Sequence, residues 1–485
     1  MGEQQRLGQT FLRACAEHGT RRAVVGDGEK LTYAGLAERV RERARTLDSL
    51  LRPDEHRIAI HAANSVDYLV SYYALVISRR LPFLVDAQFG AVELEGIRAS
   101  CGIDSFLVEG TADFPLPTTV RPVPGSRHAL AAATQAPPAE PPAPHPDTVT
   151  CRFTSGTTGA PKCLEFSSAA VHNAARNWAA GTELSQHDRV LCLAAFTNGL
   201  AFNTSLLPVF LVGAELHLYR GAPTSGGIAR AVRQSRATRL VAFPLAYQLL
   251  AHVPQADVAA FSTLTRAVSA AAVLDPYIGA SFEARYGVRI ADYYGIAETG
   301  PCTFERDPEN TTSLGTALPG VSLRIVERPT GEPEVRVRTA SMATGYLNAP
   351  GALEERIDQD GFYCTGDCGR LDEGRLLMTG RIGGPINLAG RKIDPTEIER
   401  AVRTLDGVAD TVVFADSDAN GGAVLHVVVS GARQPARAEV VQVCRENLAP
   451  YKVPGRVSYL PTIPRSATGK VRLIELAELV KDRSE

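Results

Sequence analysis

The stretch Thr148-Val149-Thr150-Cys151-Arg152-Phe153-Thr154-Ser155-Gly156-Thr157-Thr158-Gly159-Ala160-Pro161-Lys162 changes character halfway along. Thr148 to Phe153 is rich in apolar, β-branched and aromatic residues and reads as a buried strand. The nine residues from Thr154 carry four hydroxyls, two glycines and one lysine. Glycine lets backbone N–H groups approach an anion closely, hydroxyls add donors, and lysine supplies a point charge. A strand that opens into such a loop is a phosphate cradle. The plainer reading, a flexible Ser/Thr/Gly turn, is disfavoured by the strand before it and the Pro-Lys after it. The Gly-Lys-Ser/Thr ending of the GxxxxGK[ST] loop is absent.

Around this stretch, short apolar strands alternate with helical patterns. Leu31-Thr32-Tyr33 runs into an amphipathic helix through Val40, and Ser65 is placed to cap a helix through Tyr72 to Val76. Strands are expected at Arg57 to Ile60, Phe106 to Val108, Arg189 to Leu193, Arg239 to Ala242 and Arg266 to Ser269. Such alternation predicts an α/β fold with mostly parallel sheet wound on both faces. Residues 131–147 hold six prolines among alanines and read as an exposed, extended loop. Beyond about residue 380 a glycine cluster precedes helix, strand, strand and helix, a small α+β unit of domain size. A hinge is placed at Arg381 to Gly384, dividing the chain into 1–381 and 382–485.

Composition narrows the function. The 485 residues exceed one typical domain, and 51 Lys+Arg against 53 Asp+Glu leave a net charge of −2. No basic field exists to hold nucleic acid. Nine cysteines are scattered without a CxxC pair, which fits buried thiols in a reducing cytosol better than disulfides or zinc. The N-terminus lacks an apolar signal core, so the reading is cytoplasmic. Residues 190–214 carry no charge and are long enough to span a bilayer. Thr197, Asn198, Gly199, Asn203, Thr204, Ser205 and Pro208 interrupt the run, so a buried strand plus a buried helix is expected instead.

Three further segments carry chemistry. In Asp292-Tyr293-Tyr294-Gly295-Ile296-Ala297-Glu298, a tyrosine offers a face to a flat base, Asp292 accepts from an amine, and Glu298 is a hard oxygen ligand suited to Mg²⁺. In Tyr363-Cys364-Thr365-Gly366-Asp367, followed by Gly380-Arg381, an Asp can accept from both ribose hydroxyls. Pro464-Arg465-Ser466-Ala467-Thr468-Gly469-Lys470 puts a lysine on a glycine-containing loop. Each alone has an ordinary reading: aromatic packing, a β-turn, a solvated surface charge.

Together and in this order, the four segments resemble the adenylate-forming superfamily of acyl- and aryl-CoA synthetases, stand-alone adenylation enzymes and luciferases. The resemblance runs from Leu31-Thr32-Tyr33 to Lys470. It implies a large N-terminal ATP- and acid-binding region, 1–381, and a mobile C-terminal lid, 382–485. It also implies an AMP-forming carboxylic acid ligase. A carboxylate attacks the α-phosphorus of ATP, pyrophosphate leaves, and a nucleophile then displaces AMP. On this pattern Thr154, Ser155, Gly156, Thr157, Thr158, Gly159 and Lys162 hold the triphosphate. Asp292 and Tyr294 meet adenine, Glu298 holds Mg²⁺, Asp367 and Arg381 meet the ribose, and Lys470 bridges carboxylate and α-phosphate. Lys470, Lys162 and Glu298 are the implied catalytic set. Phe196, Phe243, Tyr247, Ala270, Ala271, Tyr293, Gly295 and Ala297 would line the acid pocket, and their aromatic and small apolar character suits a flat aromatic or compact aliphatic acid.

The chain also departs from the pattern. Cys163 follows the loop lysine where glycine is usual, and Ala297 replaces the threonine before the glutamate. No Asp accompanies Phe196, which disfavours a standard α-amino acid. Gly383 stands where an acidic hinge residue is usual, and Asn387 where a lysine is frequent, although Leu388 to Ile393 still resembles the loop beside a pantetheine tunnel. The expected acceptor is a thiol, on CoA or on the phosphopantetheine of a carrier protein. The altered hinge keeps an amine acceptor open as the alternative, and a non-catalytic nucleotide- or acyl-binding relative is the third reading.

Overall fold

The computed structural model describes residues 3–110, 114–133, 140–154, 161–221, 223–251, 255–270, 274, 276–306, 313–328, 333–381, 386–388, 391–393, 395–417, 423–448, 450–464, 471 and 473–481. Contacts divide the chain into two compact units. The first comprises Met1–Leu323, Val337–Tyr363 and Glu373–Leu376; the second comprises Arg324–Arg336, Cys364–Asp372 and Leu377–Glu485.

Two large sheets build the first unit. One has the order Gly345–Tyr346, Lys162–Ser167, Thr148–Thr154, Leu81–Val85, Arg57–His61, Ser105–Glu109, His128–Ala133, Thr118–Pro122. Its central strands are parallel, and every residue of Leu81–Val85 is buried, as a sheet covered on both faces requires. The other runs Ile290–Asp292, Arg266–Ser269, Arg239–Ala242, Arg189–Cys192, Glu215–Leu218, Arg22–Gly26, Glu29–Thr32, parallel except for its final hairpin. The fold is α/β with a large N-terminal part and a small C-terminal one.

Between the sheets lies helix Val66–Ile77, which contacts strands of both. Val66 to Val76 are all buried, so this helix has no side turned to solvent. It starts where expected: the Ser65 hydroxyl accepts from the Tyr68 N–H at 2.9 Å, satisfying a donor that the first turn leaves free. The helix that follows Leu31-Thr32 begins at Tyr33, with Thr32 accepting from the Gly35 N–H at 3.1 Å. The uncharged run resolves into strand Arg189–Cys192 and the helical turns of 199–211, which include one wide π-type turn at Phe202–Leu206. Among the described residues no helix is long and apolar enough to cross a membrane.

One expectation is corrected. Ala131–Ala133 is not loop but the end of strand His128–Ala133, flanked by strands on both sides. Its alanines precede the first proline, Pro137, and keep their N–H donors for the ladder. Residues 140–147 carry no helix or strand, as expected; 134–139 lie outside the described residues.

The second unit carries sheet Val408–Ser417, Ala423–Gly431, Arg456–Tyr459 with helices Pro395–Arg403 and Arg437–Asn447. Its apolar core joins Ile398, Val402, Val427, Val429 and Val440.

A buried charge cluster ties the central helix down. Arg43 donates to Asp67 at 3.0 Å, Ser71 at 2.9 Å and the Gly125 carbonyl at 2.9 Å, and the Arg43 and Asp67 side chains are 2% and 9% exposed. Burial pushes the Asp67 carboxyl up, but the Arg127 N–H and Arg43 outweigh it and hold the group below the usual range. Removing one partner of such a pair strands the other charge, at a cost of about 3–5 kcal/mol. Arg43→Met should therefore lower the melting temperature sharply, while Arg43→Met/Asp67→Leu recovers part of the loss; calorimetry of both variants checks this.

Candidate active site

Strands Thr148–Thr154 and Lys162–Ser167 pair antiparallel, with Thr154 opposite Lys162 and the Thr154 hydroxyl 3.4 Å from the Lys162 carbonyl. The loop they close holds Ser155, Gly156, Thr157, Thr158 and Gly159, which lie outside the described residues. Its exit is fixed by Asn348. That side chain accepts from the Cys163 N–H at 2.8 Å and donates to the Pro161 carbonyl at 2.9 Å.

Lys162 and Glu298 meet through a third residue. Strand Gly345–Tyr346 pairs with Lys162–Ser167, setting Tyr346 opposite Leu164. The Lys162 ammonium lies 5.5 Å from the centroid of the Tyr346 ring, within cation–π range. The hydroxyl of that ring donates to Glu298 Oε1 at 2.5 Å. Burial and the Glu298 charge push the Tyr346 phenol far up, so it stays a donor. Glu298 is held through its backbone as well, since its carbonyl accepts from the Ala343 N–H at 2.7 Å. Tyr363 also feels Glu298: its phenol is pushed up by burial and by that charge, and its buried hydroxyl has no hydrogen-bond partner among the described residues. Arg356 stands 5.3 Å from that ring.

The donor set fits Mg²⁺ in one way only. Tyr346 occupies Oε1, which leaves Oε2 of a single carboxylate, and no cluster of three His, Cys, Asp or Glu exists among the described residues. Mg²⁺ held by one carboxylate and otherwise by substrate phosphates suits this arrangement, whereas an all-protein cage does not.

Asp292 ends strand Ile290–Asp292, beside Ser269 on the neighbouring strand. Burial raises its carboxyl to about 7, with the Ser269 hydroxyl opposing the shift. Asp292 Oδ1 and Ser269 Oγ both lack hydrogen-bond partners among the described residues. A buried carboxyl oxygen left open is what an incoming amino group would satisfy. Tyr294 is buried, and its carbonyl accepts from the Cys302 and Thr303 N–H groups, which fixes the 293–303 hairpin. Gly295 is obligatory there, because a Cβ would sit 2.6 Å from the Gly300 carbonyl oxygen.

The acid-pocket residues divide into two groups. Tyr293 packs on Trp178 at 5.0 Å, Phe243 is half-buried, and Ala270 and Ala297 are small neighbours of the same core. Phe196 and Tyr247 are fully buried: Phe196 packs on Tyr68, and the Tyr247 hydroxyl donates to the Val268 carbonyl at 2.8 Å. These two serve packing. Ala271 lies outside the described residues.

Asp367 belongs to the second unit. There the Thr365 hydroxyl accepts from the Asp367 N–H at 3.0 Å, and Glu334 accepts from the Gly366 N–H at 3.1 Å. Gly366 has φ +74°, a conformation that favours glycine. Arg381 ends strand Arg375–Arg381, and Gly383 and Lys470 lie outside the described residues.

Sequence reading missed Arg152, Tyr346 and Tyr363. Arg152 was visible as a lone cation in an apolar strand. It is 3% exposed, and its guanidinium lies 5.2 Å and 5.6 Å from the ring centroids of Phe202 and Phe166. It donates to the Ala297 carbonyl at 3.1 Å, while Nε has no hydrogen-bond partner among the described residues. Burial drives it down to about 10, with Glu298 opposing the shift.

Comparison with known proteins shows the family. The model for AMP-binding enzymes matches residues 11–347, and that for the AMP-binding enzyme C-terminal domain matches 397–470. The chain belongs to the AMP-binding enzymes, the adenylate-forming superfamily, and is an AMP-forming carboxylic acid ligase. A 3-[(3aS,4S,7aS)-7a-methyl-1,5-dioxo-octahydro-1H-inden-4-yl]propanoyl:CoA ligase of Rhodococcus jostii is 28% identical over 95% of this chain and 96% of its own. Indoleacetate–CoA ligase of Aromatoleum aromaticum is 30% identical over 68% and 66%. The Mycobacterium tuberculosis fatty acyl CoA synthetase structure superposes with a TM-score of 0.69 at 22% identity, covering 99% of both chains.

The raised Asp292 carboxyl makes a signed prediction. A folded-state value near 7 against 3.8 for the free group means that the folded chain holds this proton more tightly than the unfolded one. Its contribution is fully present below the unfolded value and is lost as pH rises from about 4 through 7. Asp292→Asn should therefore melt higher than wild type at pH 8, with the gap narrowing at pH 5, in nucleotide-free thermal denaturation.

Proposed function

We propose that the chain activates a carboxylic acid with ATP and Mg²⁺ as an acyl-adenylate, releasing pyrophosphate, and passes the acyl group to the thiol of CoA or of a carrier-bound phosphopantetheine. The observation that carries this reading is the convergence of Lys162, Tyr346 and Glu298 at the mouth of the hydroxyl- and glycine-rich loop. The names of the CoA-ligase relatives support the thiol acceptor.

In this reading the loop from Thr154 to Gly159 and Lys162 bind the triphosphate, and Asp292 and Tyr294 take the adenine. Asp367 and Arg381 take the ribose, and Lys470 spans the carboxylate and the α-phosphate. Glu298 Oε2, with the phosphates, would hold Mg²⁺, which supplies neutralisation of phosphate charge. Carboxylate and triphosphate repel, and positioned cations offset that repulsion and stabilise the charge that moves onto pyrophosphate. Region 1–381 binds the reactants, and 382–485 acts as the lid that excludes water from the mixed anhydride. The acid is a small aromatic or compact aliphatic one, taken by Tyr293, Phe243, Ala270, Gly295 and Ala297.

A second reading sends the acyl-adenylate to an amine. It is favoured by Gly383, which lets the backbone rotate but supplies no charge to direct the rotation.

A carboxylic-acid panel scored by ATP-dependent pyrophosphate release tests the first step. Product masses with CoA, with a pantetheinylated carrier and with amines test the second. Thioester is expected; amide without thioester would replace the first reading by the second, and no acid-dependent pyrophosphate would contradict both. Lys470→Ala should slow adenylation about 100-fold or more, since one well-placed donor is worth ~2.7–4 kcal/mol. Tyr346→Phe keeps the ring beside Lys162 and loses the bond to Glu298. It should raise the Mg²⁺ concentration needed for half-maximal rate several-fold at an unchanged melting temperature; a Mg²⁺ titration of rate with parallel calorimetry checks this.

A further inference from the structure

Arg152 is a buried cation without a carboxylate. No Asp or Glu forms an ion pair with it among the described residues, and its neighbours are the Phe166 and Phe202 rings and the Ala297 carbonyl. Burying an unpaired charge is expensive, and a fold keeps one only where something offsets the cost. The one carboxylate whose charge acts on it is Glu298, and the free oxygen of that group is assigned to phosphate-bound Mg²⁺. Mg²⁺ bound at Glu298 would neutralise that compensation.

Three further features border the guanidinium, and one of them, Ala297, is among the residues assigned to the acid pocket. Gly199 opens the helical segment of the uncharged run, and a Cβ there would lie 3.1 Å from Arg152 Nη1, so the missing side chain leaves the space in which the guanidinium sits. Ala297, whose carbonyl Arg152 holds, is one of the small residues assigned to the acid pocket. The π-type turn at Phe202–Leu206, a feature common at functional sites, places one of the two flanking rings.

We infer that Arg152 is a specificity-determining residue that pairs with a second anionic group on the acid, so that the preferred substrate is a dicarboxylate rather than a simple monoacid. This rests on the adenylation reading and narrows its substrate class. One carboxylate reacts at the α-phosphate; the other stays ionised and meets the planar fork of the guanidinium, which matches a carboxylate in two parallel hydrogen bonds. A site built around such a donor rejects analogues that lack the acceptor far more strongly than an apolar pocket rejects a missing methylene.

The test pairs aliphatic and benzene dicarboxylates with the monoacids that lack one carboxylate, on the full-length wild type and on Arg152→Met. Pyrophosphate release should favour the best diacid over its monoacid by about 100-fold or more in kcat/KM. Arg152→Met should bring that ratio near one, at an equal or higher melting temperature because an unpaired buried charge is gone. A ratio that survives in Arg152→Met, an equal fall on both members of each pair, or a destabilised variant would overturn the proposal and leave Arg152 as a holder of the Ala297 turn. Calorimetric binding of the same acids in the presence of AMP reads recognition without turnover. Diacid selectivity there, lost in Arg152→Met but with no pyrophosphate released by wild type, would sink the adenylation reading and leave the role of Arg152 standing. Equal binding of both members by wild type would do the reverse.

Discussion

The site depends on how one carboxylate is held. Glu298 sits on a turn between short strands, where nothing in its own segment would orient its side chain. Its position comes from elsewhere: the Tyr346 hydroxyl grips one oxygen, and the Ala343 N–H grips its backbone. Tyr346 is itself fixed by pairing with the strand that starts at Lys162. One strand edge therefore sets both the cation at the end of the loop and the acid that faces it. A charge-assisted hydrogen bond of this kind is strong and short, and it spends one of the two oxygens, leaving the other for chemistry. Charges fixed before the reaction need no reorganisation in the reacting step, which is where electrostatic catalysis gains most.

The buried polar atoms tell the same story from the side of stability. Arg43 and Asp67 show what a structural charge pair looks like: both are buried, paired, and bonded to neighbouring hydroxyl and backbone groups. Asp292, Tyr363 and Arg152 break that rule, each with a buried polar atom left without a partner among the described residues. They flank the loop, the 292–298 segment and the acid pocket. A polar ligand group entering beside these atoms would satisfy them.

Most of the fold could be read from the chain. The strand Thr148–Thr154, the helix capped by Ser65 and the parallel alternation follow from apolar runs and capping residues that carry their meaning locally. Ala131–Ala133 was misread because a neighbouring proline cluster lent its character to alanines that pair normally. Half of the site was legible in the same way: Lys162, Asp292 and Glu298 stand in segments whose composition is chemically unusual. Tyr346 was not, since a Gly-Tyr pair has no chemistry until a strand register brings it to Glu298. Phe196 and Tyr247 are aromatic residues in the right segments, yet burial against Tyr68 and against the Val268 carbonyl gives them packing roles that no local pattern distinguishes from a pocket wall.

The central claim is that a carboxylate oxygen of the acid becomes bonded to the α-phosphorus of ATP. Labelling both carboxylate oxygens of a turned-over acid with ¹⁸O and weighing the AMP released in unlabelled water tests this directly. The account predicts one ¹⁸O in each AMP, because the acceptor attacks the acyl carbon and the bridging oxygen leaves with phosphorus. AMP free of label, with one heavy oxygen in the acyl product and the other in pyrophosphate, orthophosphate or water, would contradict it.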